Sequence, residues 1–165
     1  MIRHTRELRK VQSFIRKKHR KNDFESGYLE IIPEVLDQAQ RITASMKDTG
    51  YEEVRQQAVE RGQICHGEYT QHNVLFDRSK LIITNLEHAH LDLPCVDAAL
   101  FLRKIMEKQG WKIAQGEKFL RAYEIVCPMS EKERQILALR LSYPEKLWKL
   151  ANHYYHTNKA WIPAK

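Results

Sequence analysis

The residues best able to do chemistry in this chain fall between Cys65 and Asp97. His66-Gly67-Glu68 sets an imidazole beside a carboxylate, and Asn73 follows shortly after. Two apolar runs come next, Val74-Leu75-Phe76 and Leu81-Ile82-Ile83-Thr84, separated by the turn cluster Asp77-Arg78-Ser79-Lys80. Short β-rich runs bounded by turn residues predict strands, here a hairpin, after Ile64 and Cys65 have entered as another short strand. The second run delivers Asn85 and Glu87 into a loop, and Asp92 and Asp97 lie beyond it. A tight hairpin brings its outer ends together, so amides and carboxylates gather around one point. That geometry suits phosphoryl transfer, where positioning and charge stabilisation supply almost all the catalysis.

Other chemistries fit less well. His66-x-Glu68 with Pro94-Cys95 approaches the zinc deaminase pattern H-x-E…P-C-x-x-C, but the second cysteine position is Ala98. His88, His90 and Asp92 could form a metal site, although alternating polar residues in a loop are more often exposed, and no fourth ligand is evident. Cys65 sits in an apolar strand and reads as a packed thiol rather than a nucleophile. Trp148, Tyr154, Tyr155 and Trp161 could stack on bases or sugars, but at helical spacing they read as core.

The elements that must position these residues are mostly helices. Leu8, Val11, Phe14 and Ile15 give an apolar stripe over 5–21, with arginines and lysines on the other faces. This is a docked surface helix with a solvated basic face, the alternative being a helix for nucleic acid or a membrane surface. Asn22 and Asp23 break it, and a second helix is expected from about Glu34, after Pro33, to Met46. A third spans Tyr51 to Arg61 and ends at Gly62. Beyond Pro94 the pattern predicts helices over 96–108 and 114–126, then one opened by the capping box Ser130-Glu131-Lys132-Glu133. In the last helix, Pro144 fits the first turn.

The chain has 165 residues, a hydrophobic fraction of 42% and a formal charge of +7, enough for one domain with a core and suggestive of anionic partners. Three cysteines without a C-x-x-C pair suggest free thiols in a reducing compartment. The N-terminus is charged from Arg3 onward, and no apolar run approaches the roughly 20 residues that span a bilayer. These features point to cytoplasmic origin without membrane insertion.

His66-Gly67-Glu68 with Asn73 resembles the H-G-D-x-x-x-x-N catalytic loop of the aminoglycoside phosphotransferase and choline kinase-like group. Thr84-Asn85-Leu86-Glu87 resembles its I-D-F-D segment, and Asp92-Leu93-Pro94 with Asp97-Ala98-Ala99 its D-x-P-x-x-D-L-A. The wording around Phe14-Ile15-Arg16-Lys17, Tyr143-Pro144-Glu145-Lys146, Trp148 to Tyr155 and Lys159 to Pro163 is similar to the CotS-type spore coat proteins of spore-forming bacteria. The resemblance covers nearly the whole chain and maps onto the C-terminal half of a full-length member. It implies an α+β, mainly α-helical fold: a protein kinase-like C-terminal lobe over 1–165, without its N-lobe, in which a small β-hairpin carries the remnant of the catalytic loop.

The resemblance also assigns roles. Glu68 takes the base position, where the family has Asp. Its extra methylene shifts the carboxylate by about 1 Å, a displacement that can cost about a hundredfold. His66 orders the loop. Asn73 and residue 85 hold Mg²⁺ in the family, but Asn85 replaces the carboxylate with an amide and leaves Glu87 as the nearby substitute. Leu75 is a nucleotide contact. Asp92 and Asp97 support the site, Asp97 either as an N-cap or by holding the loop. The glycines at 27, 50, 62, 67, 110 and 116 write no G-x-G-x-x-G, and no phosphate-binding lysine strand precedes the loop. The expectation is a spore coat-associated protein incompetent in catalysis alone, with Mg²⁺ and ATP its cofactors if active. Its partners would be coat proteins or a second copy met through the bare interlobe face. One alternative is the C-terminal part of an active small-molecule phosphotransferase whose acceptor the sequence does not name, and another is a basic nucleic-acid-binding module.

Overall fold

The structure, a computed structural model, describes residues 1–78 and 80–156. Its elements run α1 (Ile2–Lys17), α2 (Asp23–Asp48), α3 (Tyr51–Glu60), β1 (Ile64–Cys65), β2 (Val74–Asp77), β3 (Lys80–Ile83), β4 (His90–Leu91), α4 (Pro94–Lys108), α5 (Ile113–Val126), α6 (Glu131–Ser142) and α7 (Glu145–His156). The described residues divide into two compact units, one of residues 1–45 with 143–156, the other of residues 46–142.

The first unit is helical. The α1 stripe of Leu8 and Ile15 packs with Tyr28, Ile32 and Leu36 of α2 and Ala151 of α7, all buried. The α2 helix starts eleven residues before the expected Glu34, because Pro33 lies inside it. Two features override the usual helix-breaking effect of proline. Tyr28, Ile32, Leu36, Ala39, Ile42 and Met46 form one buried stripe at steps of three and four residues. A reciprocal cap also starts the helix: the Glu25 N–H donates to Asn22 Oδ1 (2.9 Å), and the Asn22 N–H donates to Glu25 Oε2 (3.1 Å). That N-x-x-E signal was present in the sequence. The α1 helix ends at Lys17, four residues early, where Lys18 turns extended. The aromatic residues of α7 pack: Trp148 stacks on His4 with centroids 3.6 Å apart, and Tyr155 meets Phe14 edge-on. Trp161 lies outside the described residues.

Glu25 is only 1% exposed. Burial pushes its carboxyl up, but Lys18 Nζ at 2.5 Å, the Asn22 N–H and the Tyr155 hydroxyl at 3.1 Å outweigh that and hold it below the ordinary value. A carboxyl depressed by folding adds stability above its unfolded pKa and loses it as pH falls through the folded one. The urea midpoint is therefore expected to decline as pH drops below about 4.5, the unfolded value. Glu25→Gln should lower stability at pH 7 by about 1–3 kcal/mol and flatten this acid limb. An unchanged acid limb in the variant would remove Glu25 as its cause.

In the second unit, α4 is central. Its Cys95, Ala98, Ala99, Leu102 and Met106 are buried, as are Ile136 and Leu137 of α6. α4 packs on α5, α6 and β1. Gly116 of α5 lets the two helices close up, since a Cβ there would stand 3.2 Å from Met106 Sδ. The expected capping box of α6 is formed, with the Ser130 N–H donating to Glu133 Oε2 (2.7 Å) and the Glu133 N–H donating to Ser130 Oγ (3.3 Å). Pro144 precedes α7 and is not part of its first turn. The hairpin pairs Val74 with Ile83, Leu75 with Ile82 and Phe76 with Leu81. A second ladder, which hydrophobic patterning did not predict, pairs Ile64 with Leu91 and Cys65 with His90. The described residues form a mainly helical chain with a small β-hairpin, as expected.

Candidate active site

The loop that follows β1 is held from beneath by α4. The Asp97 carboxylate accepts the backbone N–H groups of His66 and of Gly67, the latter at 3.1 Å. Of the two roles open to Asp97, the structure gives it the loop, since α4 already begins at Pro94. The His66 imidazole is buried and spans two segments. Nδ1 accepts from the Glu68 N–H (3.2 Å), which leaves the proton on Nε2, and Nε2 donates to the Thr84 carbonyl (2.8 Å). Gly67 has φ +81°, and a Cβ there would come within 2.4 Å of the His88 carbonyl oxygen. Only glycine fits, both by conformation and by space.

Asn73 and Asn85 close the open end of the hairpin. The Thr84 N–H donates to the Asn73 carbonyl (3.0 Å). The buried Asn73 side chain donates from Nδ2 to the Glu68 carbonyl (2.9 Å) and accepts at Oδ1 from Asn85 Nδ2 (2.7 Å). Asn85 itself sits in the left-handed region, φ +59°, which asparagine tolerates well. The hairpin thus brings its two ends together as the sequence suggested.

The carboxylates do not converge on this point. The Glu68 side chain is 57% exposed, and its Oε1 lies 3.5 Å from His88 Nε2, a partner the sequence gave no signal for. Glu87 stands exposed in a short 3-10 turn, Leu86–His88. Asp92 is buried, with Oδ1 at 3.4 Å from Arg55 Nε and accepting the Leu93 N–H, and Oδ2 at 3.6 Å from His90 Nε2. His88 and His90 therefore serve different carboxylates, and among the described residues no group of three or more His, Cys, Asp or Glu could hold a metal ion. The Mg²⁺ that the resemblance implies does not fit these donors: Asn73 Oδ1 is engaged by the Asn85 amide, and position 85, to which the resemblance gives a metal carboxylate, supplies none.

Leu75 is exposed on the hairpin, as are Phe76, Leu81, Ile82 and Ile83. Cys65 is fully buried and donates to the Leu93 carbonyl (3.0 Å), and burial pushes its thiol up to about 12. It is inert packing. Beside the loop lies an apolar cleft of about 420 Å³, with Tyr69, Ile83, Leu86, Phe119 and Tyr123 in its walls. Among the described residues, no helix is long and apolar enough to cross a membrane.

Comparisons with known proteins agree with this architecture. A solved aminoglycoside phosphotransferase from Alicyclobacillus acidocaldarius superposes with a TM-score of 0.81, at 20% identity, over 93% of this chain and 47% of that one. Spore coat protein S of Bacillus subtilis (strain 168) is 24% identical over 144 residues, covering 86% of this chain and 41% of that protein. The chain thus spans under half the length of either. Residues 3–162 match the family described as "Spore coat putative kinase YutH", and the chain belongs to that family.

Proposed function

We propose that the chain is a spore coat-associated component that uses a kinase-like fold as a scaffold and does not transfer phosphate on its own. The observation that carries this reading is Glu68. At the base position it is one methylene too long, it is more than half exposed, and its carboxylate lies against His88 rather than being aimed by loop hydrogen bonds. A general base must be held within hydrogen-bond reach of the proton it takes, and a loss of positioning of about 1 Å can cost about a hundredfold. By contrast, the elements that give the loop its shape, His66, Gly67 and Asp97, are fully engaged. The scaffold is kept while the reacting group is loose.

A second reading has its own support. The chain covers 41% and 47% of two longer relatives, and the aromatic-walled cleft beside the loop falls in the size range of small-molecule sites. Under this reading the chain is the acceptor-binding part of a phosphotransferase completed by further residues. The two readings separate in a sporulating Bacillus host. Tagged wild-type and Glu68→Ala chains should be recovered equally from coat extracts, and spores of both should resist lysozyme equally. A Glu68→Ala chain that reaches the coat but fails to restore resistance would favour the enzyme.

A further inference from the structure

We infer that Asn85 performs, by a hydrogen bond, the task a divalent cation would perform between residues 73 and 85, so that the order of this loop is independent of metal. The argument follows from donors and acceptors. The Glu68 carbonyl can only accept, so the Asn73 atom facing it at 2.9 Å must be Nδ2. The remaining Asn73 atom, Oδ1, can then only accept. The atom that Asn85 presents to it at 2.7 Å must be a donor, and Nδ2 is the only donor its side chain has. The orientation of both amides is therefore fixed by one backbone carbonyl.

An aspartate at position 85 would set a carboxylate oxygen against Asn73 Oδ1. Two oxygens that both lack protons repel at that distance unless a cation or proton lies between them. Asn73 could not turn to offer its amide without breaking its bond to the Glu68 carbonyl. With asparagine in place, the bridge closes without a cation. It ties the end of the hairpin to the loop that follows Glu68, beside the Thr84 N–H to Asn73 carbonyl bond and the His66 to Thr84 bond. The clasp and the cation are thus alternatives for one place. Whether Glu68 acts as a base plays no part in the argument.

The test is thermal unfolding of the full chain in chelator and in excess Mg²⁺, without nucleotide, for wild type and for Asn85→Asp and Asn85→Ala. Wild type is expected to melt at the same temperature in both. Asn85→Asp should melt about 2–4 °C lower in chelator and recover in Mg²⁺. Asn85→Ala should show the loss without recovery. In ¹H–¹⁵N spectra of the wild type, the Asn85 side-chain amide should be identical with and without Mg²⁺. A rise in the wild-type melting temperature with Mg²⁺, a shift of that amide on adding the metal, or an Asn85→Asp chain as stable as wild type in chelator would overturn the inference.

Discussion

Replacing Asp97 with alanine is expected to lower the stability of the second unit by about 2–4 kcal/mol and to disorder the 66–68 loop. Both carboxylate oxygens are engaged, one with the His66 N–H and one with the Gly67 N–H. Each N–H left without its partner costs about 1–3 kcal/mol if it stays dry and less if water reaches it. Gly67 is only half-buried, so the sum falls below the maximum. The loop's other backbone bonds fall at Glu68, whose N–H meets His66 Nδ1 and whose carbonyl meets Asn73 Nδ2, so the N–H groups of 66 and 67 depend on Asp97. Asp97→Asn keeps one acceptor and should lose about half as much. Urea unfolding gives the energies, and hydrogen exchange at 66 and 67 locates the effect. Equal midpoints for wild type and Asp97→Ala would mean that the loop is held by His66 and its Thr84 contact instead.

Much of this was legible in the sequence, for identifiable reasons. The hairpin announced itself through apolar runs of strand length around a turn cluster, and both strands formed within one residue of their expected limits. The Ser130 box and the glycine after α3 carried local chemistry that needs no tertiary context. Pro33 alone points to a start of α2 at Glu34, but the Asn22 and Glu25 cap and tertiary burial of the Tyr28 to Met46 stripe carry the helix back to Asp23. β4 could not be seen at all: two residues long, it exists only because His90 and Leu91 meet β1. At the site, residue types gave the cast but not the pairings. Nothing in the spacing said that His88 would lie against Glu68, or that the Asn85 amide would bond Asn73, since both contacts depend on how two loops approach each other.

Nucleotide binding gives the largest contrast between this chain and one with a repaired site. Titration of the wild-type chain with Mg²⁺-ATP in a calorimeter is expected to give only heats of dilution, and no phosphotransfer. Three requirements fail together. The position that the resemblance gives to the base holds an exposed glutamate against His88. The position that the resemblance gives to a metal carboxylate holds an amide already bonded to Asn73. The six glycines supply no phosphate-cradling loop. In this reaction, electrostatic stabilisation and positioning are nearly the whole of catalysis, so each loss multiplies the others. The chain with both Glu68→Asp and Asn85→Asp has a carboxylate one methylene shorter at position 68 and a new carboxylate at position 85, while the hairpin, His66 and Asp97 still set the geometry. It is expected to show heat with Mg²⁺ alone and a nucleotide heat that disappears in chelator, without measurable turnover. Submicromolar binding of Mg²⁺-ATP by the unaltered chain, with turnover abolished by Glu68→Ala, would make it an active enzyme whose phosphate clamp lies outside the known loop types. No metal heat in the double variant would place the loss in the backbone geometry of the loops, not in the two side chains.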